Sequence, residues 1–444
     1  MIGTVLLLGW TAVWTALPVW GQPDPPATNR ITLTAAIQEA VDAGTRVRTA
    51  DAAREAAALR ASWRTSAYLP QAAATASTNR SQYPQTITPI REPGVFPRLD
   101  DTIHELRLNA SWTVFDFGRG RAERRAAQAL AEAAGVQYDR ARMETIEAVA
   151  GAFVRLAQLR TLAQAQQTRR DALRQQAAHI ADLREEGRVA DVEQLKIQEV
   201  VLEAEANLRA TRRQQENGLR ALAAELGHRQ PLAMDAIHLR PLPVADTTSA
   251  VRSDSVRHAP RIAVAQARLS AAEARQAEAT RALLPSIEIF GAEQMRSGSN
   301  WNVDAQWTAG LRVTVPLTPF GATAQRAAQQ AATREREIAL AGARRTLRAA
   351  LAELGNQIQD AVDRATTAAA REAQLAETYR IESAAHAEGR LTLTDLLATE
   401  AKLAAARSEE AAARAAIAQL RLRRSVLTGR LTIDHALHLT QPAP

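Results

Sequence analysis

The sequence predicts a mainly α-helical protein with a β part that lies in a membrane, and with two structural repeats per chain. Two proline-free runs, 119–186 and 322–388, have the Ala-rich composition of long helices. Segments in which apolar and polar residues alternate precede each run, and a period of two is typical of β-strands. The same order of segments occurs twice, which indicates an internal repeat.

The repeat is clearest at a Glu-Gly-Arg sequence, which stands at 186–188 and again at 388–390. Glycine can reverse a chain at low steric cost, and apolar periodicity resumes beyond each copy. Two pairs of residues have the spacing of capping boxes: Asp191 with Gln194, and Thr392 with Asp395. Each copy therefore predicts the tip of a helical hairpin.

Other matches fix the extent of the repeat. Leu226-Gly227 corresponds to Thr428-Gly429, and Phe117-Gly118 corresponds to Phe320-Gly321, both at an offset of about 202 residues. The predicted boundaries are a signal peptide at 1–21, a first repeat at 22–230, a linker at 231–254, a second repeat at 255–430 and a C-terminal tail at 431–444.

The long runs predict helices of about 100 Å, at 1.5 Å per residue. Return helices at 191–226 and 394–427 are about half that length. The first return helix carries one apolar stripe: Leu195, Leu202, Leu208, Leu219, Leu222 and Leu226. Long helices with narrow stripes bury themselves against each other as coiled coils. A soluble coiled-coil rod would explain these segments equally well.

The alternating segments predict one β-hairpin in each repeat, at about 71–115 and 286–316. Alternation is strict at 106–114 and 303–315, and it is weaker at 71–83 and 286–296. Strands of about 9 to 13 residues have the length that a tilted strand needs to cross a bilayer. Turn-rich links at 84–101 and 297–302 join the strands of each pair.

An alternating strand is more often part of a half-buried sheet in a soluble domain, but two observations favour a membrane. Ten of the 14 aromatic residues that follow the signal lie in or beside these strands, as interfacial girdles require. The polar face carries Arg107, Asn109, Asp304, Gln306 and Arg312, whereas the other face is small and aliphatic. Four strands cannot close a barrel, and lipid tolerates no open edge, so several copies must pool their strands.

Residues 2–20 form an apolar run that ends at Gly21 and a proline-rich segment, which predicts a secretory signal cleaved before Gln22. No other segment approaches 18 consecutive apolar residues, so no transmembrane helix is expected. Cysteine is absent, which excludes disulfides, Cys-ligated metals and a lipid anchor on an N-terminal Cys.

The net charge of +7 is nearly all arginine, interspersed with Glu along the helices. This pattern indicates solvated helix faces and no nucleic-acid partner. Among the eight histidines only His435 and His438 stand at helical spacing, and neither a nucleotide loop nor a nucleophile elbow occurs. We therefore expect no enzymatic activity, no catalytic or metal site and no cofactor.

In order and spacing these segments resemble the outer membrane efflux protein family, the TolC-like channels. The resemblance rests on the whole order of helices, strands and tips, with Phe-Asp-Phe-Gly-Arg-Gly-Arg at 115–121 and Pro-Leu-Thr-Pro-Phe-Gly at 316–321. It implies a homotrimer whose four strands per chain form one 12-stranded β-barrel in the outer membrane of a Gram-negative bacterium. A long α-helical coiled-coil barrel would continue this β-barrel into the periplasm.

The resemblance also implies a function and partners. Such a protein is a passive exit duct of a tripartite efflux or type I secretion system, surrounded by outer-membrane lipid. A periplasmic adaptor and an inner-membrane pump open it at its periplasmic tip. The alternative that the hairpins leave open is a periplasmic coiled-coil adaptor or scaffold protein, although adaptors usually have one hairpin between β-rich domains.

Site residues follow from the same resemblance. The residues implied to contact the adaptor are Gly187, Arg188, Val189, Glu193, Gly389, Arg390, Leu391 and Asp395. Acids near the tips often narrow the pore in this family, and the candidates here are Asp182, Glu185, Glu186, Glu382 and Glu388. These acids could equally be solvated helix charges.

Overall fold

The computed structural model describes residues 31–66, 69–87, 94, 96, 98–240, 259–317 and 320–440. The predicted signal peptide at 1–21 and residues 241–254 of the predicted linker lie outside the described residues. Within them the chain is mainly helical and has one four-stranded antiparallel sheet, which confirms the predicted combination of helices and strands.

The same order of elements occurs in both halves of the chain: helix, two strands, long helix, return helix. The first half consists of α1 (Leu33–Ala43), α2 (Thr45–Ser66), β1 (Gln71–Thr86), β2 (Leu99–Phe115), α3 (Arg119–Glu185), α4 (Asp191–Leu226) and a 3₁₀ turn (Met234–Ala236). The second half consists of α5 (Pro260–Arg281), β3 (Ser286–Ser297), β4 (Val303–Thr314), α6 (Phe320–Ala387), α7 (Leu393–Leu427) and α8 (Ile433–Thr440).

Two antiparallel pairs of helices dominate the structure. We call α3 with α4 the first hairpin, and α6 with α7 the second hairpin. Helix α3 also packs against α2, α5 and α7, and α5 packs against α6, so the halves are in contact along much of their length. With 67 and 68 residues, α3 and α6 are each about 100 Å long. None of the described helices is both long and apolar enough to cross a membrane.

The Ala-rich, apolar-periodic pattern of residues 33–66 predicts a helix before the first strands, and Gly44 divides this segment into α1 and α2. The Thr32 hydroxyl caps α1 by accepting a hydrogen bond from the Ala35 N–H at 3.2 Å. A Cβ atom at Gly44 would stand 2.2 Å from the carbonyl oxygen of Ala40. Only glycine therefore lets the chain leave α1 at this point.

A cluster of buried side chains joins both halves near the middle of the hairpins, and we call it the central cluster. It takes residues from α1, α3, α4, α7 and α8, among them Leu33, Ile37, Phe153, Leu222, Leu422 and Ala436. The described part of the linker belongs to it as well, because the Ile31 N–H donates to the Ala236 carbonyl at 2.6 Å.

Within the predicted C-terminal tail at 431–444, the structure describes residues up to 440, and residues 433–440 are helical. These residues form α8, whose Ala436 is fully buried in the central cluster. His435 Nε2 lies 3.0 Å from the Ser425 hydroxyl of α7, and burial lowers the pKa of His435. His435 therefore contributes to packing, whereas His438 is exposed.

The predicted apolar stripe on α4 was wrong near the tip. Leu208, Leu219, Leu222 and Leu226 are buried, but Leu195 and Leu202 are 65% and 63% exposed. Near the tip α4 packs through Ile197 and Ala204, which are seven residues apart and both buried. Leu195 and Leu202 lie on another side of the helix, together with exposed Val192.

The strands pair in the order β1-β2-β3-β4, each antiparallel to its neighbour. Strands β1 and β2 extend farther into the expected link at 84–101 than the alternation indicated. Pro84 lies within β1, where the register shifts between Arg80 and Gln85. A proline has no N–H to donate to the ladder, which accounts for the irregularity at this point.

Candidate functional site: hairpin tips and sheet faces

The first tip is a tight reversal between α3 and α4. Gly187 has a φ of 70°, in the left-handed region that favours glycine. Its N–H donates to the Arg184 carbonyl at 2.9 Å, and the Arg188 N–H donates to the Leu183 carbonyl at 2.8 Å. This is the Schellman arrangement, which satisfies the last carbonyls of a helix and turns the chain.

The second tip has the same backbone. Gly389 has a φ of 73°, and the Arg390 N–H donates to the Ala385 carbonyl at 2.9 Å. The Thr392 hydroxyl caps α7 by accepting a hydrogen bond from the Asp395 N–H at 3.2 Å, as the predicted capping box requires, and it donates to Asp395 Oδ2 at 2.6 Å. In both tips a Cβ atom on the glycine would meet no atom within 4 Å. The tips therefore offer open surface.

Both tips have an arginine–glutamate pair beside the glycine, and the first tip has a second ion pair. Arg184 Nε donates to Asp191 Oδ1 at 2.6 Å, which ties the end of α3 to the start of α4. Asp191 is the first residue of α4, and Ala190 holds the cap position before it. The capping box predicted for Asp191 with Gln194 was therefore wrong. Arg188 pairs with Glu186 at 3.2 Å, and Arg390 pairs with Glu388.

The candidate acids fall into two groups, one on each hairpin. Asp182, Glu185 and Glu186 are exposed at the end of α3, and Glu388 is exposed at the second tip. Glu382 is half-buried, and its Oε2 atom has no hydrogen-bond partner among the described residues. Within one chain these acids form no single cluster, and no group of metal-binding side chains occurs in the described ranges.

Near the tips a second cluster of buried apolar side chains joins the two hairpins. The sequence analysis did not predict this cluster. Leu393, at the start of α7, is 1% exposed and packs against residues of the first hairpin, including Leu173, Ile180 and Ile197. Lys196 Nζ donates to the Thr394 hydroxyl at 3.2 Å. The two tips are therefore held side by side.

An ion pair between the hairpins lies farther from the tips. Arg169 Nε on α3 donates to both carboxylate oxygens of Glu400 on α7, at 2.8 and 2.9 Å. The side chains are only 16% and 14% exposed. Burial, together with the negative charge of Glu400, raises the pKa of Tyr379 on α6. No sequence signal identifies this pair, because its members are 231 residues apart and surrounded by similar charges.

The sheet places the alternating residues on two distinct faces. Directly paired residues share a face, so the pairings of Arg107 with Gln294, and of Gln294 with Gln306, form one polar row across three strands. Ion pairs continue along this face: Arg296 with Glu105 at 3.4 Å, and Arg312 with Glu288 at 3.3 Å. The polar positions predicted separately for the two repeats therefore form one surface.

The opposite face is apolar and exposed. One row contains Trp112, Ile289 and Leu311, and the next contains Ala110, Gly291 and Ala309. Trp307, at 80% exposure, stands beside Glu293, the single carboxylate on this face at the centre of the sheet. Glu293 is the residue of this face that the alternating pattern did not predict.

These features define a class of protein, the outer-membrane channel fold. The chain is similar to VceC of Vibrio cholerae at 19% identity, covering 89% of this chain and 96% of that one, with a TM-score of 0.76. It is similar to the CmeC outer membrane channel of Campylobacter jejuni at 17% identity, covering 92% of this chain and 90% of that one, with a TM-score of 0.77. It is similar to the open state of the MtrE outer membrane channel of Neisseria gonorrhoeae at 19% identity, covering 90% of this chain and 89% of that one, with a TM-score of 0.75.

The likeness to these structures shows the fold, and a family model supplies the membership. The outer membrane efflux protein model matches residues 36–228 and 251–430. The chain therefore belongs to the outer membrane efflux protein family, which confirms the predicted resemblance. Membership also confirms the predicted location, the outer membrane of a Gram-negative cell with an extension into the periplasm. No curated protein sequence matches the chain.

Proposed function

We propose that the chain is the outer-membrane exit duct of a tripartite efflux or type I secretion system. Three copies pool their strands into a 12-stranded β-barrel, and their hairpins, each chain contributing two similar repeats, form a helical tunnel through the periplasm. The duct is passive, and an adaptor and an inner-membrane transporter open it at the tips.

The observation that carries this proposal is the sheet. Its outer strands β1 and β4 each pair on one side only within the described residues, and one of its faces is apolar and exposed. Lipid tolerates an apolar face but no open strand edge, so the edges must meet those of other copies. A periplasmic adaptor or scaffold would have no use for an exposed apolar sheet face of this kind.

Cysteine cross-linking tests the pooling of strands, and the cysteine-free chain makes it clean. Pairs join Ala72→Cys, Ala74→Cys or Ala76→Cys on β1 with Ala305→Cys or Ala309→Cys on β4. Within one chain these positions are separated by two strands, about 14 Å, which is too far for a disulfide. We expect at least one pair to give covalent trimers in membranes. Single variants serve as controls, and covalent products no larger than dimers from every pair would contradict the trimer.

A channel assay tests the duct itself. Purified protein in a planar bilayer should give small, mostly closed currents, and the same sample should have the mass of a trimer. If carbonate removed the protein from the membrane and the protein gave no current, the result would favour the alternative, a periplasmic adaptor or scaffold.

The adaptor contact at the tips is part of the proposal. Gly187, Arg188, Gly389 and Arg390 are exposed, and the space around both glycines is open, which supports docking at this end. Partly exposed Val189 and Leu391 give each tip an apolar side chain. Glu193 and Asp395 lie just beyond, in the first turn of each return helix.

Bulky substitutions at the tip glycines test this contact. Gly187→Tyr with Gly389→Tyr should abolish binding of the host cell's periplasmic adaptor and efflux together, while trimer mass stays unchanged. The matched control is Gly227→Tyr with Gly429→Tyr, which puts the same side chain on left-handed glycines at the other ends of the return helices. Intact adaptor binding in the tip variant would contradict the proposal that the tips contact the adaptor.

The acids near the tips are proposed to narrow the closed pore. Glu186 and Glu388 are paired with arginines within one chain, whereas Asp182 and Glu185 are exposed without such a partner among the described residues. Asp182→Asn with Glu185→Gln should reduce the preference of the channel for cations over anions. Reversal potentials in a KCl gradient measure this, and an unchanged potential would assign both acids to solvated helix charge.

A further inference from the structure

A large cleft lies between the two halves beside the central cluster. It has a volume of about 1330 Å³ and is lined by residues of α2 and α3 and by residues of α5, α6 and α7. Pockets that hold drug-sized molecules are usually about 300 to 1,000 Å³, so a ligand of that size fits with room for water.

The cleft opens away from the helices that cover the central cluster. Glu147 and Gly151 of α3 line it, whereas Val149 and Phe153 of the same helix lie in the central cluster under α1 and α8. At about 100° of rotation per residue these two sets occupy different faces of α3. The packing of α1 and α8 therefore leaves the cleft accessible.

The walls of the cleft are strongly basic, with five arginines against two glutamates. Arg140 is neutralised by Glu144 at 2.8 Å, and Arg46 lies 3.7 Å from Glu225. The other three arginines have no carboxylate within 4.0 Å among the described residues: Arg261 on α5, Arg364 on α6 and Arg423 on α7. Three exposed guanidinium groups from three different helices therefore face one space.

Glu147 is the other carboxylate in the lining of the cleft, and it offsets the positive charge of these arginines only weakly. Burial raises the pKa of Glu147, although the positive charge of Arg423 acts in the other direction. The rest of the lining is small or apolar, and includes Ala148, Ala416 and Leu420. The cleft thus combines fixed positive charge with apolar surface.

We propose that this cleft binds organic anions with an apolar body, and that Arg261, Arg364 and Arg423 bind their acidic group. Guanidinium groups match carboxylates, sulfonates and phosphates through paired N–H donors. The apolar walls then cover the rest of the molecule. That such anions are the cargo of the channel rests on the proposed function, whereas binding to the cleft does not.

Naphthalene-2-sulfonate is a suitable probe, because its sulfonate is charged at every working pH and its ring is apolar. Isothermal titration of the purified full-length protein gives its dissociation constant, and naphthalene-2-methanol is the neutral match. We expect the sulfonate to bind and the alcohol to bind at least about tenfold more weakly, the factor that one charge-assisted hydrogen bond contributes.

Variants locate the site. Arg261→Gln, Arg364→Gln and Arg423→Gln together should weaken sulfonate binding at least about tenfold, whereas the corresponding triple Lys variant should stay within a few-fold of the unmodified protein. The matched control changes three exposed arginines that do not line the cleft: Arg60→Gln, Arg213→Gln and Arg334→Gln. Thermal melting and oligomer mass establish that every variant is folded.

Equal binding of the sulfonate and the alcohol would overturn the inference, as would equal losses in the cleft and control variants. The result is distinguishable from failure of the proposed channel. A trimer that conducts but does not bind the sulfonate refutes the cleft alone, and a protein that binds the sulfonate but gives no current refutes the channel alone.

Discussion

The two hairpins and the four-stranded sheet bury their side chains very differently. Each hairpin has an interior that one chain supplies, with Leu222, Leu347 and Leu422 almost completely buried. In the described strands only Ile103 and Ser297 are buried, and residues on both faces of β4 are accessible to solvent. The helices are therefore packed within a single chain, whereas one chain leaves the faces of the sheet largely exposed; under the proposed function, lipid and other copies cover them.

If the proposed trimer forms, this difference predicts that assembly stabilises the sheet more than the hairpins. A sheet with two exposed faces and two open edges gains little from hydrophobic burial within the chain. The ladder of hydrogen bonds fixes its register, and the surroundings supply the rest. We infer that the hairpins can pack before the strands are inserted.

The largest effect is expected in the central cluster. Leu222→Ala leaves a cavity among buried side chains and should lower the apparent free energy of unfolding by about 2 to 5 kcal/mol. Leu202→Ala on the same helix is the matched control, because Leu202 is 63% exposed, and it should cost less than about 0.5 kcal/mol. Denaturant titration of both variants measures the difference. A large cost at Leu202 would show that another chain covers this side of α4.

The sheet should respond to charge on one face only. Leu311→Arg places a cation on the apolar face and should destabilise the inserted protein by about 2 to 4 kcal/mol if lipid covers that face near the bilayer centre. Gln306→Arg adds the same group to the polar face of β4 and should be tolerated. Urea titration of folded protein in lipid vesicles compares the two. Equal costs would mean that the sheet has no lipid face.

The ion pair between the hairpins should matter more than an exposed pair. Arg169→Met leaves Glu400 without its partner in a site that is 14% exposed, and the cost should be about 1.5 to 3 kcal/mol. Arg371→Met is the control, because Arg371 and Glu409 are about half exposed, and it should cost less than about 1 kcal/mol. A double-mutant cycle with Glu400→Gln isolates the pair. A coupling energy near zero would remove Arg169 and Glu400 from the contacts that join the hairpins.

The tip glycines should show backbone strain alone. Gly389→Ala forces an alanine to a φ of 73°, at a cost of about 1 to 2 kcal/mol, with no side-chain clash. Gly342→Ala in the middle of α6 is the control, since its Cβ would also meet no atom within 4 Å. It should raise the melting temperature, because alanine is about 0.5 to 1 kcal/mol better than glycine in a helix. If both substitutions raised the melting temperature, or both lowered it, the assignment of backbone strain to Gly389 alone would be contradicted.

The smallest effect concerns Glu147, which lines the cleft between the two halves. Burial raises its pKa above 4.5, so the folded protein keeps this proton at pH values where the unfolded chain has lost it. Stability should therefore fall as the pH rises from about 4.5 through the folded pKa. Glu147→Gln should melt at a higher temperature than the unmodified protein above this window, and with a smaller difference below it.

Glu377 provides the opposite sign. A hydrogen bond from Arg380 lowers the pKa of Glu377, so its contribution is present above pH 4.5 and is lost as the pH falls. Glu377→Gln should therefore melt slightly lower than the unmodified protein at neutral pH. Melting curves from pH 3 to pH 8 measure both variants, and identical pH profiles would refute the burial of Glu147.

The sequence predicted those parts of the fold that depend on local pattern. Alternation in 303–315 indicated a strand with two unlike faces, and the pairing in β4 agrees with it. Glycine followed by arginine indicated the chain reversals that Gly187 and Gly389 make. In each case one short stretch of chain contains all the information that is needed.

The rest depends on contacts between distant segments. An exposed Leu195 and a buried Ile197 differ only in which side of α4 faces α3, and several apolar stripes on α4 were possible. Arg169 and Glu400 look like any other charges on long helices until the two hairpins lie side by side. The roles of the tip residues in adaptor contact remain proposals for the same reason, because the partner that would define them is another chain.

The position of the central cluster makes each hairpin a lever. From Phe153 to the end of α3 at Glu185 the helix extends about 50 Å beyond the cluster, at 1.5 Å per residue. With the cluster as fulcrum, a rotation of about 5° displaces the tip by about 4 Å, roughly the rise of three residues along a helix. The sheet end of α3 at Arg119 lies about 50 Å on the other side of Phe153, so a small rotation about the cluster moves the tip and the sheet end by similar distances in opposite directions.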